Sequence, residues 1–92
     1  MPRLLLVEDD AALARGLQFN LDQEGFEVIH VDNGREASER VQNEKFDLVV
    51  LDDMLPGMEG TEVVRHMRKA DNYTPVLMLT ARSQPEDQAN GL

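Results

Sequence analysis

The sequence predicts an α/β fold, a doubly wound parallel sheet with helices on both faces. Three observations carry this. Apolar runs of strand length recur at residues 4–7, 46–51 and 76–79. Each run is nearly continuous rather than alternating, as expected of strands buried on both faces of a parallel sheet. Helix-period patterns separate them, and an order of strands alternating with helices argues for parallel pairing through short crossovers.

Taken in order, the first strand covers residues 4–7. Asp10 stands where a helix N-cap is wanted, Leu13, Leu17 and Leu21 form an apolar stripe, and Gly25 suits the helix end. Residues 26–31 give a second strand, interrupted by Glu27 and His30 and so better placed towards a sheet edge. A helix follows Asn33-Gly34 with Ala37 and Val41 inward, and the strand at 46–51 runs into Asp52. Pro56-Gly57 suits the centre of a type II turn, because Gly accepts positive φ. A third helix follows Gly60 with Val63, Val64 and Met67 inward. After the strand at 76–79 comes Thr80, and Ser83-Gln84-Pro85-Glu86 reads as a capping box opening a fourth helix.

The chain has 92 residues, enough for a single domain over 1–92 with a modest core. Its formal net charge of −9 argues against nucleic-acid binding, which needs Lys and Arg for phosphate contacts. The same charge suits divalent cations or basic partner surfaces. With no cysteine there is no disulfide framework and no thiolate metal site, which fits a cytosolic setting. The apolar stretch at 4–7 is too short for a signal peptide, and no run approaches the ~20 residues of a membrane span.

The chemistry concentrates in acids at strand ends. Glu8, Asp9 and Asp10 follow the first strand; Asp52 and Asp53 follow the third. In a parallel sheet both groups fall on the carboxyl edge, where ligands bind near the reversal of strand order. Converging carboxylates repel one another, and a hard divalent cation with oxygen ligands relieves that repulsion. Asp10 is better read as an N-cap and Asp53 as a loop residue; Asp9 and Asp52 are the functional pair. Thr80 shares the edge, and its hydroxyl is either a phosphoryl donor or an ordinary β-branched strand end. His30 and His66 lack metal-ligand spacing. Arg65, Arg68 and Lys69 read as a solvated helix end that suits the helix dipole.

Four stretches together resemble the receiver domains of bacterial two-component response regulators. They are Leu5-Leu6-Val7-Glu8-Asp9-Asp10, Phe46-Asp47-Leu48-Val49-Val50-Leu51-Asp52, Met54-Leu55-Pro56-Gly57-Met58-Glu59-Gly60, and Pro75-Val76-Leu77-Met78-Leu79-Thr80-Ala81-Arg82. The wording is most similar to transcription factors with a winged-helix output domain. The resemblance implies a flavodoxin-like fold, a cytoplasmic signalling domain rather than an enzyme, and Asp52 as phosphoacceptor. It implies Mg²⁺ (or Mn²⁺) held by Asp9, Asp52 and the Met54 backbone carbonyl, with Glu8 acting through water. Thr80 would be the switch hydroxyl, with the Ala81 amide beside it. The donor would be a phosphohistidine on a sensor histidine kinase, and the readout a DNA-binding output domain outside this segment.

Two departures from the family pattern are visible. The family's lysine at the end of a fifth strand has no counterpart before Leu92, so the domain is expected to be C-terminally truncated, without its last strand and helix. The exposed edge at 76–79 would then favour self-association or strand exchange. Asp53 stands where the family usually has an apolar residue, and nothing in the sequence accounts for it. Two rival readings differ in class. A phosphatase of the haloacid dehalogenase type wants a second acid two residues after its nucleophile, where this chain has Met54. A pseudo-receiver would keep the fold as an interaction module without being phosphorylated.

Overall fold

The computed structural model describes residues 1–79, so Thr80, Ala81 and the helix expected from Ser83 lie outside the described residues. The elements are β1 (Arg3–Val7), α1 (Ala11–Gln23), β2 (Glu27–Val31), α2 (Gly34–Asn43), β3 (Leu48–Asp52), α3 (Gly60–Lys69) and β4 (Val76–Leu79). All pairs are parallel and the strand order is β2-β1-β3-β4. The chain therefore winds from β1 outward to β2, then returns past β1 to β3. The order reverses between β1 and β3, which places a crevice at their carboxyl ends.

The interrupted strand at 26–31 does lie at an edge of the sheet, as β2. The central strands are buried because each offers apolar side chains to both faces. Leu5, Val7, Val49 and Leu51 pack with Ala37 and Val41 of α2 and with Val63 and Met67 of α3. Leu4, Leu6 and Val50 pack on the other face against Ala14, Leu17 and Leu21 of α1. Each such Leu or Val withdrawn from water contributes about 1.5–3 kcal/mol before conformational entropy is subtracted.

Local chemistry sets the helix ends. Asp10 accepts the Leu13 amide at 3.1 Å and Asn33 accepts the Glu36 amide at 2.8 Å, capping α1 and α2. Gly25 has φ +94°, the Gly25 amide donates to the Asp22 carbonyl and the Phe26 amide to the Leu21 carbonyl. That is a Schellman ending, closed by apolar packing of Phe26 and Leu21 in one cluster.

Three expectations need correction. Leu13 is 49% exposed, and Ala14 takes the fully buried place on α1. The helical rotation that turns Leu17 and Leu21 to the sheet leaves Leu13 at the rim. The third strand starts at Leu48 rather than 46; Phe46 enters the core from the preceding loop. Finally, β4 is half-buried rather than buried on both faces, with Leu77 53% exposed.

Candidate functional site

Parallel register brings the acids together. Val7 stands opposite both Val31 and Leu51, so the residues following β1 and ending β3 emerge side by side. One carboxylate oxygen from each of Glu8, Asp9 and Asp52 lies within 4.8 Å of the others. Glu8 and Asp52 are buried and Asp9 is exposed. None of the ion pairs among the described residues involves any of the three.

Each acid is held differently. Asp52 ends β3, and its Oδ1 accepts the Met54 amide at 3.2 Å, which fixes the plane of the carboxylate. The Glu8 amide donates to the Val31 carbonyl, and Glu8 Oε2 accepts the Asp10 amide at 3.0 Å. Glu8 Oε1 is buried without a hydrogen-bond partner among the described residues. Burial pushes the Glu8 carboxyl above the usual glutamate range, and the Asp52 and Asp9 charges push the same way against the Asp10 amide. A buried acceptor with no donor, beside two more carboxylates, is the setting a hard cation or its water fits.

The loop after β3 is shaped by glycine. Gly57 has φ +82°, as the Pro56-Gly57 pair predicts. A Cβ on Gly60 would lie 2.6 Å from the Asp52 carbonyl oxygen and 3.2 Å from the Asp53 Cα. A Cβ on Gly34 would overlap the Met58 carbonyl oxygen, and the Gly34 amide donates to the Pro56 carbonyl at 3.3 Å. The starts of α2 and α3 thus clamp this loop between them. A cleft of about 270 Å³ opens beside the cluster, lined by Asp9, Asp53, Met54, Leu55, Pro56 and Glu59.

The expected residues Glu8, Asp9, Asp52 and Met54 therefore share one edge, Asp10 is an N-cap, and Asp53 donates its amide to the Leu79 carbonyl. Thr80 and Ala81 fall outside the described residues. The sequence reading missed His30, whose Nε2 lies 2.8 Å from the Glu8 carbonyl oxygen. The available signal was a polar residue on the strand face it shares with apolar Val28.

The response regulator receiver domain model matches residues 4–92. The transcriptional regulatory protein YkoG of Bacillus subtilis is 45% identical over 97% of this chain and 39% of its own length. The alkaline phosphatase synthesis transcriptional regulatory protein PhoP of Bacillus subtilis is 40% identical over 98% of this chain and 38% of its own length. The chain thus spans about two fifths of the curated relatives it matches. Among solved structures, response regulator TrrA of Thermotoga maritima, in complex with Mg²⁺ and BeF, superposes with TM-score 0.85 at 36% identity. That match covers 90% of this chain and 72% of TrrA.

Proposed function

The chain belongs to the response regulator receiver family, and from that premise we propose that Asp52 accepts a phosphoryl group from a phosphohistidine of a sensor histidine kinase. The observation that carries the proposal is the convergence of Glu8, Asp9 and Asp52 within 4.8 Å at the sheet edge, with no ion pair to any of them among the described residues. An Asp52 carboxylate oxygen attacks phosphorus as the phosphorus–nitrogen bond breaks. The imidazole leaves with the electron pair and takes a proton, and Asp52 becomes an acyl phosphate. Such transfers rest on in-line placement and charge neutralisation more than on covalent help. The Met54 amide holds the Asp52 carboxylate in one plane, and Gly60 allows the loop to pass close beneath it.

Asp9, Asp52 and the Met54 carbonyl would hold a divalent cation, Mg²⁺ or Mn²⁺, with Glu8 reaching it through water. The all-oxygen donor set and the unpartnered Glu8 Oε1 suit such an ion. When bound, the ion neutralises carboxylate charge that would repel a phosphoryl group. Thr80 and the Ala81 amide would contact the phosphoryl oxygens, turning a local charge change into a wider signal. The proposed setting is the cytoplasm and the readout a DNA-binding output domain. Self-association through β4, at an edge of the described sheet, is a further part of the reading; a monomeric mass by light scattering at high concentration contradicts it.

The test is intact mass after incubation with acetyl phosphate and Mg²⁺. One phosphoryl adduct is expected, lost in Asp52→Asn and without Mg²⁺. An adduct of equal yield in Asp52→Asn overturns the assignment.

A further inference from the structure

His30 is a polar side chain on a face of β2 that is otherwise apolar. It stands opposite Leu6 in the β1 register, and its neighbour on the same face, Val28, joins the cluster of Leu4, Leu6 and Ala14. Its ring reaches past the end of the ladder. The last backbone bond between the two strands runs from the Glu8 amide to the Val31 carbonyl at 3.1 Å. Beyond it the chain leaves β2 to start α2 at Gly34. The Glu8 carbonyl then meets the His30 side chain instead, with Nε2 at 2.8 Å. A carbonyl oxygen only accepts, so Nε2 carries the proton.

That carbonyl belongs to the peptide joining Glu8 to Asp9. Its orientation sets the direction in which both acid side chains leave the backbone. The Glu8 side chain is buried and cannot leave the crowded cluster by swinging into solvent, so the peptide is best held from outside the cluster. We infer that His30 is a positioning residue: through the Glu8 carbonyl it keeps Glu8 and Asp9 converged on Asp52. This inference rests on the reading of the cluster as a divalent-cation site.

The experiment measures Mn²⁺ affinity by electron paramagnetic resonance of the free ion, with urea unfolding in parallel. The proteins are the wild-type chain, His30→Gln, His30→Asn and His30→Leu. Glutamine places an amide nitrogen near the position of Nε2, whereas asparagine reaches only as far as Nδ1. His30→Gln is expected to bind Mn²⁺ like wild type. His30→Asn and His30→Leu are expected to bind roughly tenfold more weakly, the usual scale for partners behind a metal ligand. A merely structural role would follow urea stability and would not separate Gln from Asn. Equal affinity across the folded variants, or Gln as weak as Asn, overturns the role of His30. Should His30→Leu not fold, the Gln–Asn pair decides. Absence of Mn²⁺ binding by the wild type instead overturns the cation site itself.

Discussion

The two edges of the sheet handle carboxylates in opposite ways. At the amino edge the acids sit among cations. Arg3 pairs with Glu44 at 2.9 Å and approaches Glu27 at 3.8 Å, while Arg40 pairs with Glu44 at 2.9 Å. Arg3 also donates to the Lys45 carbonyl and lies 5.0 Å over the Phe46 ring. The hydrogen bond from Arg3 holds the Glu44 carboxyl below the usual glutamate range. At the carboxyl edge, Glu8, Asp9 and Asp52 crowd together with no such partner among the described residues, and burial pushes Glu8 up. One edge is neutralised from within the chain. At the other, no ion pair among the described residues offsets the charge.

The largest way to break this comparison is steric. Gly60→Ala should destabilise the fold by about 1–3 kcal/mol, the range for forcing extra atoms into packed space, because its Cβ meets the backbone of Asp52 and Asp53. The contrasting glycine is Gly16 in α1, where a Cβ would meet nothing within 4 Å. Gly16→Ala should stabilise by roughly 0.5–1 kcal/mol through helix propensity. Urea unfolding reads both, and a loss at Gly16 with none at Gly60 would invert the account.

Next comes pH. Folded Glu8 binds its proton more tightly than unfolded Glu8, so from the reference value of 4.5 up to its raised value the folded state holds more protons. Stability from this residue therefore falls as pH rises through that window. Glu44 has the opposite sign: its lowered value makes its contribution present above 4.5 and lost as pH falls. Thermal unfolding against pH should show Glu8→Gln flattening the decline above pH 4.5 and Glu44→Gln flattening the rise below it. Saturating Mg²⁺ should flatten the Glu8 limb as well. A wild-type curve unchanged by Glu8→Gln contradicts the crowded-edge account.

The smallest effect belongs to the exposed pairs at the amino edge. Arg40→Met should lower the melting temperature slightly at low salt, and the difference should shrink at 1 M salt, where screening acts over about 3 Å. A difference that grows with salt would mean Arg40 acts through packing instead.

Much of this was legible in the sequence. Continuous apolar runs mark doubly buried strands, so β1 and β3 could be read, and the interrupted β2 could be read as an edge strand, and with them the shared edge of Asp9 and Asp52. Asp10, Asn33 and Gly25 announced the helix ends through capping chemistry that is local. What escaped depends on three-dimensional register. Leu13 fits the helical stripe as well as Leu17 does, and only the docking angle of α1 leaves it exposed. The burial of Glu8 was invisible because nothing in one dimension shows how far a strand-end acid is covered. His30 bonds a carbonyl 22 residues away, a contact set by strand pairing alone.

The central claim is that Asp52, rather than its neighbour Asp53 or the facing Asp9, carries the phosphoryl group. Borohydride reduces an acyl phosphate to a primary alcohol and so marks the acceptor aspartate as homoserine. After phosphorylation with acetyl phosphate and Mg²⁺, reduction and peptide sequencing by mass spectrometry, homoserine at position 52 alone is the predicted result. Homoserine at position 53 or 9, with residue 52 still aspartate, would contradict it.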